Sequence, residues 1–352
     1  MPPIDTDLDL PMRSMILLVG LALAILLAIS SAWAVVVERL WSGKPLLPAR
    51  RVRPAPWGGR EVFLCLVAWQ AVTLAASQVL DGRRDGEGEL PLVDAMAAVS
   101  IVNLVLLFVL PAILLTIGKA TPADLGFRRG TTLGDAITGV VGALCLVPLV
   151  YLVQFAAILI WSPTAHPMQE MLFEVRSLGV IVLALASAVV LAPAAEELMF
   201  RGFLQGWLEA RLGRSGGAGD PSTSAADSGP ARGPRGGGLV ALILPAAFFA
   251  GVHYGQWPAP IPLFVLAVGL GVVYRRTGGL VAPIAMHATF NGLSTMAMIV
   301  VLLAVPARAP EPEVDGPVPV PPVLPASSDP GPSGPAGAAG STGRSHRNVE
   351  SG

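Results

Sequence analysis

The sequence predicts an all-α membrane protein, a polytopic helical bundle of about eight transmembrane helices, on three observations. Of its 352 residues 53 % are hydrophobic and only 13 % charged, with a mean hydropathy of +0.66, whereas a typical globular chain carries roughly 25 % charged residues. Eight stretches free of Asp, Glu, Lys and Arg approach the ~20 apolar residues that a ~30 Å hydrocarbon core requires of a helix. Lys and Arg, finally, collect in alternate loops. Such a composition argues against a water-soluble enzyme. The net charge of -1 and pI near 6.4 argue against a nucleic-acid partner, whose footprint is a basic patch. Cys65 and Cys145 both sit in apolar runs and form neither a disulfide framework nor a CxxC signature.

The expected spans run Met15 to Val37, Val62 to Leu80, Ala95 to Gly118, Ala136 to Trp161, Ser177 to Ala195, Leu239 to Tyr254, Ile261 to Tyr274 and Leu280 to Val305. The sixth and seventh are short, and the turn formers of His253-Tyr-Gly-Gln-Trp-Pro-Ala-Pro260 separate them as a tight hairpin or a re-entrant pair. The first, third, fifth and seventh loops hold fifteen Lys and Arg, against Arg83, Arg84 and Arg176 in the others. By the positive-inside rule the odd loops face the cytoplasm and both termini face outward. Ala32-Trp33-Ala34 has the form of a signal-peptide cleavage site, but Asp5, Asp7 and Asp9 against Arg13 give the leader the wrong charge, so an uncleaved first span is expected. Lys44 and Lys119 are the sole lysines amid abundant Ala, Gly, Pro and Arg, a GC-rich composition that suggests a bacterial inner membrane.

These features divide the chain into a short tail over 1–14, a bundle over 15–305 with its chemistry in about 177–300, and a Pro/Gly/Ser-rich tail over 306–352. That tail has too little apolar surface to offset ordering entropy and is expected to be disordered. Residues 213–238 read as a flexible cytoplasmic loop, either a tolerated surface insertion or a gate for substrate.

Ionisable side chains at membrane depth cost ~2.5–3.5 kcal/mol each on insertion scales and mark functional sites by default. Three places stand out. The fifth span ends in Glu196-Glu197-Leu-Met-Phe-Arg201, the sixth in Phe249-Ala-Gly-Val-His253, and the eighth contains His287-Ala-Thr-Phe-Asn291. His287 and Asn291, spaced i and i+4, share one helix face. Glu197 and Arg201 share another in the favourable acid-before-base order, whereas Glu196 points elsewhere. Arg201 is thus expected to neutralise and orient Glu197, leaving Glu196 as a proton acceptor. Each residue alone could be an interfacial charge or interhelical glue. Together the carboxylates, histidines and amide form a set able to bind and activate one water. His166, between Pro163 and Pro167, and His346, in the tail, read as bystanders.

These three motifs resemble those of the CPBP family of intramembrane proteases, which includes the CAAX prenyl endopeptidase and bacterial Abi relatives. The family's Glu-Glu-x-x-x-Arg, Phe-x-x-x-His and His-x-x-x-Asn occur here in the family's order on separate late helices, with Ala-Pro before the acidic pair and Phe-Arg-Gly spanning Arg201. The resemblance covers about residues 177–300. It implies peptide-bond hydrolysis in or at the membrane, on a membrane-embedded or membrane-associated peptide or protein substrate. Glu196, helped by His253, would deprotonate water. His287 and Asn291 would stabilise the oxyanion, and Glu197 with Arg201 would hold the helix. Glu196, His253 and His287 also make a His2Glu zinc set, so a possible zinc cofactor stays open beside metal-free glutamate catalysis. Competing classes are a non-catalytic scaffold or immunity protein of the same fold and a secondary transporter, the latter expected to show an internal repeat. With straight, perpendicular helices Glu196 and His253 would lie at opposite depths. Closing the site needs a tilted, sunken or re-entrant sixth segment that gathers Glu196, His253 and His287 around one cavity.

Overall fold

The computed structural model describes residues 12–47, 50, 53–82, 92–127, 130–164, 177–212 and 237–304. Among them are helices α1 (Met12–Trp41), α2 (Gly59–Asp81), α3 (Leu92–Thr116), α4 (Thr132–Ile160), α5 (Leu178–Leu212), α6 (Gly237–Val252), α7 (Pro260–Thr277) and α8 (Val281–Ala304). Seven are long and apolar enough to cross a membrane. The protein is an integral membrane protein. The eighth, α6, has 16 residues and at 1.5 Å per residue reaches only ~24 Å. It is the short sixth segment expected from the sequence. The expected loop over 213–238 lies outside the described residues except for Gly237 and Gly238, which open α6. The tail over 306–352, His166 and His346 lie outside them as well.

Several helices run a few residues past their expected bounds, and two of these extensions bear on the readings above. α1 runs unbroken through Ala32-Trp33-Ala34. α5 continues past Ala195 to Leu212, so the acidic pair is interior to a helix rather than at its end. The cause is visible in the residues after the pair: Leu198, Met199, Phe200, Phe203 and Leu204 are all buried, and Arg201 and Gln205 are buried with partners. Charge that is paired inside a bundle does not terminate a span.

Lipid tails are as apolar as leucine, so helices here associate through close packing rather than through a hydrophobic gain. α8 lies along α4, α7 along α6, and α2 along α3, with α8 also against the first half of α5. The main core surrounds α5, where Phe200, Phe203 and Phe249 meet Leu110, Leu114 and Leu280. Gly139 of α4 is where α8 comes closest: a Cβ there would overlap the Ala282 carbonyl oxygen and stand 2.8 Å from Met286 N. The turn between α3 and α4 is tied down as well. Gly126, at φ +89°, offers its carbonyl to Leu280 N–H at 3.2 Å. Hydrogen bonds from Thr121 hold the Asp124 carboxyl below its ordinary range, with help from Arg53.

Gly139→Ala is therefore expected to lower the melting temperature in detergent by several degrees, since overpacking a tight contact costs ~1–3 kcal/mol. Gly142→Ala, whose Cβ would meet Met286 Sδ at an ordinary 3.4 Å, is expected to change it little. Equal losses from both variants would contradict this packing.

Candidate active site

The helix that carries the acidic pair is irregular on both sides of it. α5 is α-helical over Leu178–Leu185, Ala192–Glu197 and Gly206–Leu212, but π-helical over Ala186–Leu191 and Leu198–Gln205. Such π segments are rare and occur frequently at functional sites. Here the wider turns bracket Glu196 and Glu197.

Glu197 has no exposed surface. Its Oε1 accepts from Arg201 Nη1 at 2.8 Å and from His287 Nδ1 at 2.9 Å. An ionised carboxylate only accepts, so the proton of that second bond belongs to His287 Nδ1. The bond fixes the ring and turns Nε2 outward. Nε2 lies 3.7 Å from Glu196 Oε2. Glu196 differs from its neighbour in access: its side chain keeps 22 % exposure, against 0 % for Glu197. The expected division between a locked Glu197 and an available Glu196 is thus the arrangement found. The sequence did not show that Glu197 binds His287 as well as Arg201. Its Oε2 is buried with no hydrogen-bond partner among the described residues.

Arg201, 1 % exposed, is held on three sides: by Glu197, by the Ala267 carbonyl at 3.0 Å, and by the Phe249 ring, whose centroid is 4.9 Å from Cζ. Its bond to Ala267 is the first rung of a ladder between the parallel helices α5 and α7. Gln205 Nε2 donates to the Gly271 carbonyl at 3.0 Å, and Arg275 Nε donates to Glu209 Oε1 at 2.9 Å. The α5 members recur every four residues, the spacing that keeps them on one helix face. Gly271 gives the rung room, because a Cβ there would stand 2.6 Å from Leu242 Cδ1 and 2.9 Å from Gln205 Oε1, so both side chains would have to shift.

The depth problem resolves through the same ladder. Arg275 donates to the Gly238 carbonyl as well as to Glu209, so α6 starts level with the lower part of α5. Rising antiparallel to α5, Phe249 lies ~16 Å above Gly238, level with the Glu197–Arg201 turn. α6 then stops. Glu196 and His287 come together as expected, whereas His253 joins them through Phe249. That ring stands 4.9 Å from the His253 ring and 5.6 Å from the His287 ring. His253 Nδ1–H donates to the Phe249 carbonyl at 2.8 Å, which leaves Nε2 as an acceptor.

Asn291 is half-buried on α8, and its Nδ2 donates to the Ala188 carbonyl at 2.9 Å. The reason lies in the first π segment. Ala192 N–H bonds Ser187 O five residues back. The next N–H in that pattern would come from residue 193, which is proline and has none. Asn291 supplies the donor that Pro193 withholds, and one hydrogen of its amide remains.

Among the described residues no group of three or more His, Cys, Asp or Glu stands where it could hold a metal ion. The candidate zinc set of Glu196, His253 and His287 is not among such groups in this geometry, although His253, with Nδ1–H on the Phe249 carbonyl, keeps Nε2 free as a ligand atom. Gln205 and Ala188 are contributors that the sequence did not place in the site, and Phe249, which opens the Phe-x-x-x-His motif, was given no role there. The four-residue recurrence of Arg201, Gln205 and Glu209 was the available signal for the ladder.

In comparison with known proteins, residues 178–293 match the family described as Rce1-like, type II CAAX prenyl endopeptidase. That segment runs from the start of α5 into α8 and holds all six candidate residues. No curated protein and no solved structure matches the chain.

Asn291→Ala is expected to destabilise the protein by ~1–3 kcal/mol, the cost of leaving a carbonyl unpaired away from water. In a Pro193→Ala background, where residue 193 regains its N–H, the same change should cost measurably less. A double-mutant cycle on melting temperatures reads this coupling, and strict additivity would refute it.

Proposed function

We propose, from the match of residues 178–293 to the Rce1-like family of type II CAAX prenyl endopeptidases, that the protein is an intramembrane endopeptidase hydrolysing a peptide bond in a membrane-associated protein or peptide. The observation that carries this reading is the pairing of a sealed carboxylate with an accessible one: Glu197 locks His287, while Glu196 beside it keeps access to water.

In the proposed mechanism Glu196 takes a proton from a water at the exposed edge of the site, with His253 Nε2 as a second acceptor that orients it. The resulting hydroxide adds to the scissile carbonyl carbon and places negative charge on its oxygen. The abstracted proton passes from Glu196 to His287 Nε2, across the 3.7 Å separation. His287 then donates from both nitrogens, Nδ1 to Glu197 and Nε2 to the oxyanion. The remaining hydrogen of Asn291 Nδ2 is a second donor, and such donors are worth roughly 2.7–4 kcal/mol each. When the C–N bond breaks, the amine leaving group takes the proton from His287 Nε2, and His287 and Glu196 are both back in their starting states. Arg201 holds Glu197 in position and does not touch substrate. No step uses a metal. The setting proposed is a bacterial inner membrane with both termini outside; there the substrate is a peptide or a protein C-terminus rather than a prenylated CAAX end, since bacteria generally lack prenylation.

The test is cleavage of quenched-fluorescent peptides by purified protein in detergent or proteoliposomes. Glu196→Ala, His253→Ala and His287→Ala are each expected to lower kcat by about 10²–10⁴-fold, the usual contribution of acid–base groups. Unchanged cleavage by all three would eliminate the mechanism. A zinc chelator should leave the wild-type rate unaltered; loss of activity restored by added zinc would assign the water to a metal instead.

A further inference from the structure

Phe249 is in contact with Arg201, His287 and His253, three of the candidate residues. Its ring has no exposed surface and lies under the Arg201 guanidinium, with Cζ 4.9 Å from the centroid. The His287 ring meets it edge-on at 5.6 Å and Phe200 sets its plane from 5.2 Å. The His253 ring lies 4.9 Å from it, and the His253 Nδ1–H is held by the Phe249 carbonyl. The face of an aromatic ring is negative, and a cation within about 6 Å of its centroid is attracted, most strongly where water is excluded. Arg201 is such a cation: it is buried in a membrane span and shares its charge between the Glu197 carboxylate and this ring.

We propose that Phe249 is a positioning residue which, through a cation–π contact with Arg201, fixes the Glu197–His287 pair and couples it to the end of α6 that carries His253. This rests on the peptidase reading for its kinetic consequence, though not for the contact itself. The guanidinium bridges two helices. Its Nη1 holds Glu197 on α5, and its planar face holds Phe249 on α6. Weakening the ring's quadrupole, with the shape of the side chain kept, loosens Arg201 and hence the Glu197 oxygen that orients His287. The reacting geometry is then disturbed without removal of any group that contacts substrate. Apolar packing alone would be indifferent to ring electronics.

The experiment replaces Phe249 in the full-length protein with mono-, di- and trifluorophenylalanine, near-isosteric side chains of progressively weaker ring charge. The expected result is a stepwise fall in melting temperature, with kcat reduced about tenfold at the trifluoro ring, equivalent to about 1.4 kcal/mol, and KM changed less than about twofold. Phe249→Leu should lose more of both, and Phe249→Tyr, which keeps the ring, should recover most of the activity. A flat response of both quantities across the fluorinated series would overturn the proposal. A stepwise melting temperature with constant kcat would overturn the positioning role. Failure of the unsubstituted protein to cleave any peptide would count against the peptidase reading instead, and the melting series would still decide the contact.

Discussion

An arginine with 1 % of its surface exposed, inside the long apolar helix α5, is the constraint on which the rest of this bundle depends. A buried charge is tolerated only where partners replace the water it has lost. Arg201 finds three, each on a different helix: Glu197 on α5, Ala267 on α7 and Phe249 on α6. Glu197 in turn recruits His287 from α8. Satisfying one guanidinium therefore sets the relation of four helices, and those four carry every candidate catalytic residue. The functional side chains and the fold's internal polar core are one network.

The irregular backbone of α5 belongs to the same solution. Its two π segments surround the acidic pair, and the first, combined with Pro193, leaves a carbonyl that Asn291 reaches. The second contains Arg201 and Gln205 and feeds the ladder to α7. Through Arg275 that ladder also fixes where α6 begins, and the short length of α6 then decides where His253 ends up. Depth in the membrane is set by a few polar rungs, not by the length of an apolar stretch.

Much of this was legible in the sequence. Uncharged runs located the helices, because lipid leaves little choice of residue over ~20 positions. The four-residue spacing from Glu197 to Arg201 indicated their ion pair, and the odd position of Glu196 indicated its independence, since both are properties of one helix. Contacts between helices were less accessible. Nothing in the periodicity of α8 shows that His287 would choose Glu197, and nothing in α6 shows that Phe249 would lie under a guanidinium. The end of the fifth span was misplaced because a charge cluster reads as a boundary when its partners lie on other helices. Of the three residues expected around one cavity, Glu196 and His287 do meet, and the Phe249 ring is in contact with both His287 and His253.

The central claim is that adjacent glutamates divide the work, Glu197 organising the buried network and Glu196 serving as the base. Its most direct test is a paired measurement of melting temperature and cleavage rate on Glu196→Gln and Glu197→Gln in the same detergent. The account predicts that Glu196→Gln abolishes cleavage at an unchanged melting temperature, whereas Glu197→Gln loses stability on the scale of about 3–5 kcal/mol, as expected when one member of a buried ion pair is removed. A destabilised Glu196→Gln beside a fully stable Glu197→Gln would contradict it.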